Sequence, residues 1–206
     1  MKGAGFLLII LLCSSGLEPA AKSRPTASEI LFEELGLDGR TSLDVFERAV
    51  EGFYGIADRR REVLTLIDFS KPSTLERLWV IDMECGKLLF SCHVAHGQGS
   101  GGNYATSFSN VSGSHQSSLG FFLTDHTYIG RNGYSLLIDG LEPGVNDNAR
   151  ARAVVIHGAA YANPSVIASA GRLGRSWGCP ALPQALAAPV IDAIKDGSVI
   201  YIHGES

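Results

Sequence analysis

The stretch AVVIHGAAYANPSVIASAGRLGRSWGCPALP, residues 153–183, decides the fold and the chemistry that this sequence predicts. It opens with a β-branched apolar run that ends at His157 and Gly158, and such a run next to a glycine is typical of a buried strand. Cys179 follows later in the stretch, between a glycine and a proline. We therefore expect a histidine at the end of a strand and a cysteine in a loop, which the fold can bring together.

Short β-rich runs lie on both sides of this stretch, and helices frame them. Two helices are predicted near the N-terminus, one capped by Ser28 and the other by Thr41 or Ser42, and a third is predicted from Pro183 to Ile194. The predicted strands are LWVIDM (78–83), KLLFSCHVAH (87–96), GFFLT (120–124), YSLLIDGL (134–141), AVVIHG (153–158) and SVIYIHG (198–204). This order predicts an all-β or α+β domain with a long glycine-rich loop in the middle of the chain.

The composition excludes several classes of protein. Hydrophobic residues make up 45% of the 206 residues, which excludes wholesale disorder. With 17 basic and 21 acidic residues the net charge is −4, so we expect no nucleic-acid partner. The histidines and cysteines show no metal-ligand spacing and no C-x-x-C motif occurs, so we expect neither a metal nor a cofactor.

The N-terminus has the pattern of an export signal. Lys2 precedes the apolar run of residues 6–12, which is too short to span a bilayer, and small residues follow it. Cys13 raises the option of a lipid anchor, but Leu12 stands where that motif requires a small residue, so the anchor is disfavoured. A buried N-terminal helix or strand is the alternative. We expect an exported protein of the periplasm or cell envelope, with no membrane span in the mature chain.

Cys179 and His157 together suggest nucleophilic catalysis. A cysteine beside a histidine is a nucleophile with its base, and the thiolate is the reactive form. Gly178 has no side chain, so the backbone N–H groups of residues 178 and 179 can face a developing oxyanion. From the spacing alone, a buried structural cysteine with a core histidine remains the alternative.

Residues 174–178 also match G-x-S-x-G, the nucleophile elbow of α/β-hydrolases. That elbow needs a strand before the serine and a helix directly after it. Pro180 and Pro183 interrupt the turns that such a helix would use, and too few residues follow for the rest of that fold. We therefore interpret Ser176 as a hydrogen-bonding residue near the site and not as a nucleophile.

Three further residues are predicted to contact a substrate. His96 opens the glycine-rich loop, Tyr128 offers an aromatic face, and Arg175 offers a positive charge for an acidic peptide. A solvated histidine, a core tyrosine and a solvated loop arginine are the respective alternatives. Cys85 and Cys92 lie on either side of a predicted hairpin turn, so a disulfide between them is a further option in an oxidising compartment.

A set of ordered motifs extends from residue 95 to residue 183. They are AHGQGSGG (95–102), FSN (108–110), GS (113–114), SSLGFF (117–122), YIGRNGYSL (128–136), GLEPGVND (140–147), VVIHGAAY (154–161) and GRSWGCPALP (174–183). Together they resemble the murein L,D-transpeptidase catalytic-domain-like family, whose better-known relatives are cysteine enzymes that cross-link peptidoglycan. The resemblance covers about residues 75–203 and leaves the two N-terminal helices outside.

This resemblance implies a fold and a division of the chain. The fold is a mainly β, sandwich-like or barrel-like domain with a short N-terminal helical region and one C-terminal helix, α+β overall. Combined with the N-terminal pattern, the division is a signal peptide (1–16), a linker with a helical lead-in (17–74) and a catalytic domain (75–206).

The resemblance also implies roles for individual residues. Cys179 is the nucleophile, His157 is the base, and the carbonyl of Gly158 orients the imidazole. Backbone N–H groups from Trp177 to Cys179, with Gly178 between them, form the oxyanion hole. The implied activity is a two-step acyl transfer on peptidoglycan stem tetrapeptides through a cysteine thioester.

The chain departs from the better-known enzymes at two positions of this motif. Trp177 stands where they commonly have a histidine, and Ala181 stands where they commonly have an arginine or asparagine. These changes concern contacts with the acyl donor more than the Cys–His chemistry. Two alternatives follow: an L,D-carboxypeptidase, in which water takes the acyl group, and a catalytically idle peptidoglycan-binding module.

Overall fold

The computed structural model describes residues 24–205, which begin with two helices. Helix α1 (Ala27–Glu34) is capped by Thr26, two residues before the predicted serine, in a reciprocal capping box. Helix α2 (Leu43–Gly55) is capped by Ser42, whose hydroxyl accepts a backbone N–H of the first turn. Both helices form where the apolar spacing predicted them.

Eight strands and two further helices follow in this part of the chain. The strands are β1 (Val63–Asp68), β2 (Leu78–Asp82), β3 (Lys87–Cys92), β4 (Gly120–Gly130), β5 (Gly133–Gly140), β6 (Val155–Ala159), β7 (Ala181–Pro183) and β8 (Val199–His203). The helices are α3 (Ser165–Ala170), between β6 and β7, and α4 (Gln184–Ile194), between β7 and β8.

All eight strands belong to one sheet, in the order β3-β2-β1-β8-β4-β5-β6-β7. The β1–β8 and β6–β7 pairs are parallel, and the other pairs are antiparallel. The two ends of the sheet meet, because Ala95, just after β3, exchanges two backbone hydrogen bonds with Ala181 of β7. The sheet is therefore almost closed, which confirms the predicted mainly β, barrel-like fold.

The sequence analysis did not predict strand β1, nor the short elements β7 and α3. Strand β1 is the longer of the two missed strands. All six of its residues are buried, because β2 and β8 flank it in the sheet and both of its faces are covered. A strand buried on both faces shows no polar–apolar alternation, so its pattern is weak. It lies inside the range 17–74 that was predicted to be a linker and helical lead-in.

The two largest hydrophobic cores lie on opposite faces of the sheet. One contains apolar residues of α4, including Val190 and Ile191, packed against the face that carries Phe122. The other contains Phe46 and Phe53 of α2, packed against residues of β1, β2 and β8. The N-terminal helices thus pack directly on the sheet of the domain.

Other expectations concern segments outside the sheet. The predicted export signal, residues 1–16, lies outside the described residues. Among residues 24–205, no helix has the length and apolar character needed to cross a bilayer. Cys85 and Cys92 are both free thiols, one exposed in the hairpin turn and one buried at the end of β3, so the optional disulfide is absent from the structure.

Candidate active site

Cys179 and His157 meet at the junction of β6 and β7. His157 pairs with Ala181 across these two parallel strands, and Cys179 lies two residues before Ala181 in the chain. Both side chains line the same cavity, which has a volume of about 340 Å³. The thiol residue is 9% exposed and the histidine is 4% exposed, so the pair lies at the bottom of the cavity.

The imidazole of His157 is held from one side by its own strand. Its Nδ1 lies 3.1 Å from the carbonyl oxygen of Gly158. A carbonyl oxygen only accepts, so Nδ1 carries the proton and Nε2 is left as the basic nitrogen. Burial lowers the pKa of His157, and the Gly158 carbonyl partly offsets that effect. The ring is therefore neutral at pH 7 and has a free acceptor.

The thiol of Cys179 is held by the segment that leads into β6. Its Sγ accepts a hydrogen bond from the backbone N–H of Val155 at 3.4 Å and donates to the carbonyl oxygen of Ala153 at 3.6 Å. Burial raises the pKa of Cys179, while the Val155 and Cys179 N–H groups and the charge of Arg152 act in the opposite direction. The resting thiol is therefore protonated at neutral pH.

In this state the thiol proton points to Ala153 and not to the histidine. Within residues 24–205, no hydrogen bond joins Cys179 Sγ to His157. Catalytic hydrogen bonds commonly tighten only when substrate binds. The arrangement is that of a neutral thiol with a neutral base.

The loop before the thiol is fixed by Ser176. Its Oγ accepts a hydrogen bond from the N–H of Gly178 at 3.1 Å and donates to the carbonyl oxygen of Cys179 at 2.6 Å. The Gly178 N–H is therefore already used, which corrects the expectation that it faces an oxyanion. In the described chain, the N–H groups of Trp177 and Cys179 donate to no backbone carbonyl.

Glycine is required at position 178 for a backbone reason. Its φ is +120°, and a Cβ there would lie 2.8 Å from the carbonyl oxygen of Gln116. Gln116 belongs to the long glycine-rich loop, which also supplies Ser117. The hydroxyl of Ser117 accepts from the Gly97 N–H at 3.0 Å and donates to the Gly178 carbonyl at 2.9 Å. The long loop thus supports the backbone of the thiol loop.

Arginines surround the mouth of the cavity. Arg131 and Asn132 form the two-residue turn between β4 and β5 and line the cavity, together with Arg152 and Arg175. The guanidinium of Arg175 donates to the carbonyl oxygen of Gly101 at 2.8 Å. Sequence analysis had selected Arg175 alone, although the motif YIGRNGYSL contains Arg131. Nothing in the spacing of that turn shows which cavity it borders.

The amino-acid sequence beyond these site residues matches a known family. A sequence model of the L,D-transpeptidase catalytic domain matches residues 38–203, which is most of the chain. The chain belongs to this family. The matched range begins before residue 75 and includes α2 and β1. No curated protein matches the chain.

Solved structures similar to this family member have low sequence identity to it. The L,D-transpeptidase from Mycobacterium smegmatis is 16% identical with a TM-score of 0.43, covering 69% of this chain and 59% of that one. The helical cell shape determining protein Pgp2 from Campylobacter jejuni is 14% identical with a TM-score of 0.46, covering 72% and 50%. The L,D-transpeptidase from Stackebrandtia nassauensis is 15% identical with a TM-score of 0.41, covering 85% and 75%. The match spans less than two thirds of the length of the first two.

A second site prediction for this L,D-transpeptidase-family chain is also wrong. His96 is fully buried, so its side chain has no surface with which to contact a substrate. Its Nδ1 lies 2.7 Å from Nη2 of the buried Arg77, and its carbonyl oxygen accepts the Ser176 N–H at 3.0 Å. It lies beneath the thiol loop because the chain passes inward from β3 before the glycine-rich loop begins.

Tyr128 and Trp177 both lie outside the sheet core. Tyr128 lies opposite Ser135, and Ser135 lies opposite His157, so all three occupy one row across β4, β5 and β6. Tyr128 is not one of the cavity-lining residues, and its contact with substrate stays a prediction.

Trp177 is 67% exposed at the mouth of the cavity and stacks on His115, with ring centroids 4.9 Å apart. Sequence analysis missed Tyr161, a half-buried cavity-lining residue whose pKa is raised by desolvation to about 12.

Proposed function

We propose that this chain is a peptidoglycan-modifying cysteine acyltransferase of the L,D-transpeptidase type, which acts in the cell envelope after export. The observation that carries the proposal is the pair formed by Cys179 and His157 at the bottom of one cavity. The imidazole is held by the Gly158 carbonyl at 3.1 Å, with its other nitrogen unprotonated. The family match supports the substrate class, a peptidoglycan stem tetrapeptide.

The reaction begins with a neutral thiol. Nε2 of His157 takes the proton of Cys179 as Sγ attacks the carbonyl carbon of the third residue of the stem. The carbonyl oxygen becomes an oxyanion, and the N–H groups of Trp177 and Cys179 are proposed to stabilise it. The carbon–nitrogen bond to the terminal D-alanine then breaks. The imidazolium returns its proton to the leaving amine, and a thioester remains.

The second step releases the acyl group from Cys179. In a transpeptidase, an amine on a neighbouring stem attacks the thioester, gives its proton to His157 and forms a new amide bond. In a carboxypeptidase, water attacks in the same way and a tripeptide leaves. The sulfur regains its proton from the imidazolium in either case, so the same two side chains serve both reactions.

The remaining predicted site residues have supporting roles. Ser176 is a positioning residue, because its hydroxyl fixes both Gly178 and the Cys179 carbonyl. Arg175 and Tyr128 are proposed to contact the stem peptide. The exposed face of Trp177 is available for the same purpose, because only one face stacks on His115.

The test is mass spectrometry of the purified chain with a disaccharide tetrapeptide, with and without an acceptor stem. We expect an acyl-enzyme whose mass equals that of the enzyme plus the donor without its terminal alanine. Cys179→Ala should abolish it. Cys85→Ala is the matched control, because Cys85 is exposed and lies outside the cavity, and it should react as the wild type does.

The products distinguish the possible activities. Loss of D-alanine with a cross-linked product identifies a transpeptidase, and loss of D-alanine with only tripeptide identifies a carboxypeptidase. A muropeptide that binds without any acyl-enzyme identifies an idle binding module and rejects the proposed chemistry. Full turnover by Cys179→Ala rejects the nucleophile assignment.

A further inference from the structure

The cavity of the Cys–His pair carries positive charge only. Arg131, Arg152 and Arg175 line it, and none of its lining residues is an aspartate or glutamate. His157 adds no charge at neutral pH, because burial lowers its pKa. The chain as a whole has a net charge of −4, so the positive charge of the cavity is opposite in sign to the net charge. A cleft lined by one sign of charge attracts ligands of the opposite sign.

These charges are not neutralised within residues 24–205. None of the three arginines forms an ion pair there. Arg152 and Arg175 donate to backbone carbonyls and serine hydroxyls, which fix their positions without cancelling their charge. The contrast is Arg150, which is held by the carboxylates of Asp125 and Asp139. Arg150 therefore has two carboxylates beside it, whereas none of the cavity arginines is paired with an acid in the described residues.

Arg131 differs from the other two arginines in the hydrogen bonding of its guanidinium. It is exposed in the two-residue β4–β5 turn, and its guanidinium has no hydrogen-bond partner in the described chain. All of its donors are therefore available. A guanidinium with free donors binds a carboxylate through two parallel hydrogen bonds, whereas an amide cannot accept such a pair.

We propose that the cavity selects acyl donors by their free carboxylates, and that Arg131 is the specificity-determining contact. This inference rests on the proposed function, because it takes the acyl donor to be a stem peptide. Such a peptide carries a terminal carboxylate and side-chain carboxylates, and amidation of either removes one negative charge. Arg131 thus distinguishes acidic donors from amidated donors of the same shape.

The test uses the Cys179→Ala chain, so that binding is measured without turnover. Calorimetry compares three synthetic disaccharide tetrapeptides: the full acid, the C-terminal amide, and the amide of the side-chain carboxylate of the third residue. We expect at least one amide to bind about tenfold or more weakly than the acid, which is the range for a charge-assisted hydrogen bond. The amide that loses affinity identifies the carboxylate that is bound.

Arg131→Gln in the same background should bind the acid as weakly as that amide, and Arg131→Lys should recover part of the difference. Arg60→Gln is the matched control, because Arg60 is also exposed but does not line the cavity, and it should keep the full preference. The preference should shrink as salt is raised.

Three outcomes overturn the inference: equal affinity for all three ligands, tighter binding of an amide, or no binding of any ligand. An unchanged preference in Arg131→Gln removes Arg131 from the assignment. Selective binding by Cys179→Ala, combined with no thioester in the wild type, leaves the inference standing and rejects the proposed acyl transfer. The two proposals therefore fail separately.

Discussion

Nη2 of Arg77 lies 2.7 Å from Nδ1 of His96, and both side chains are fully buried beneath the thiol loop. A guanidinium only donates, so Nδ1 is the acceptor and the proton of the ring is on Nε2. Nε2 is buried and has no hydrogen-bond partner among residues 24–205. Burial, followed by the charge of Arg77, lowers the pKa of His96 to about 4. Burial and the neighbouring positive charge thus keep this imidazole neutral.

We expect this pair to make the fold sensitive to acid. Between pH 6.5 and about 4 the unfolded chain binds a proton at His96 and the folded chain does not, so the free energy of unfolding falls as the pH falls. The full effect of such a pKa difference is about 3 kcal/mol. Denaturant titrations from pH 7.5 to pH 4 measure it.

His96→Gln keeps an acceptor for Arg77 and removes the titration, so its stability should vary less with pH. The pH dependence of stability that remains in this variant comes from other groups. One of them is His157, whose lowered pKa also makes the free energy of unfolding fall as the pH falls. The control is His126→Gln, because His126 is an exposed strand residue. Identical pH profiles for wild type and His96→Gln would contradict this account.

The second prediction concerns the pH dependence of acylation. Burial lowers the pKa of His157 and raises the pKa of Cys179, so the reactive state is a neutral pair. We expect kcat/KM to rise with pH through a pKa below 6.5, where His157 becomes a base, and to stay flat through neutral pH. Alkylation of Cys179 by iodoacetamide should be slow at pH 7 and increase only above the ordinary pKa of a thiol.

If the alkylation rate of Cys179 were high and already at its maximum at pH 6, the resting pair would be a thiolate and an imidazolium. That result would contradict the neutral pair. Cys85 is the internal control in the same sample. It is exposed, so its labelling shows that the reagent is active in each sample.

Much of the fold is readable from the sequence, for reasons that particular elements illustrate. The β2–β3 hairpin has two β-rich runs around a turn, and helix α2 has an apolar face with a serine cap, so local pattern predicts both. Strand β1 escapes such analysis because neighbours bury it on both faces. Strand β7 has only three residues, too few for any periodicity.

The residues of the candidate site also fall into those that the sequence predicts and those that depend on tertiary structure. Cys179 and His157 are singled out because the ordered motifs around them resemble a known family, since their spacing alone leaves a structural cysteine and a core histidine as an alternative. The position of Arg131 depends on which cavity the β4–β5 turn borders, and that is a tertiary property. The burial of His96 likewise depends on closure of the sheet near Ala95, which no local pattern shows.

The third prediction concerns Gly178. Alanine there places a Cβ 2.8 Å from the Gln116 carbonyl oxygen at a φ of +120°, a conformation that costs a non-glycine residue about 1–3 kcal/mol. We expect Gly178→Ala to lower the unfolding midpoint and to reduce acylation strongly. Gly102→Ala is the matched control, because a Cβ at Gly102 meets nothing within 4 Å. Equal behaviour of the two variants would show that the thiol loop tolerates another backbone conformation.

The fourth prediction concerns Arg152, whose guanidinium connects the cavity to the long loop. It donates to the carbonyl oxygens of Ser109 and Gln116, each at 2.6 Å, and to the hydroxyls of Ser118 and Ser114. Its charge also lowers the pKa of Cys179. Arg152→Lys keeps the charge and loses most of these bonds, whereas Arg152→Gln loses both.

Two readouts separate these roles. Hydrogen exchange in residues 109–118 should become faster in both Arg152 variants, because both release the loop. The iodoacetamide profile of Cys179 should move to higher pH in Arg152→Gln and stay closer to that of the wild type in Arg152→Lys. Arg172→Gln is the control, because Arg172 donates only to the carbonyl oxygen of its neighbour Leu173. If Arg152→Gln left the thiol profile in place while exchange in the loop increased, Arg152 would be a structural support for the loop and not an electrostatic partner of the nucleophile.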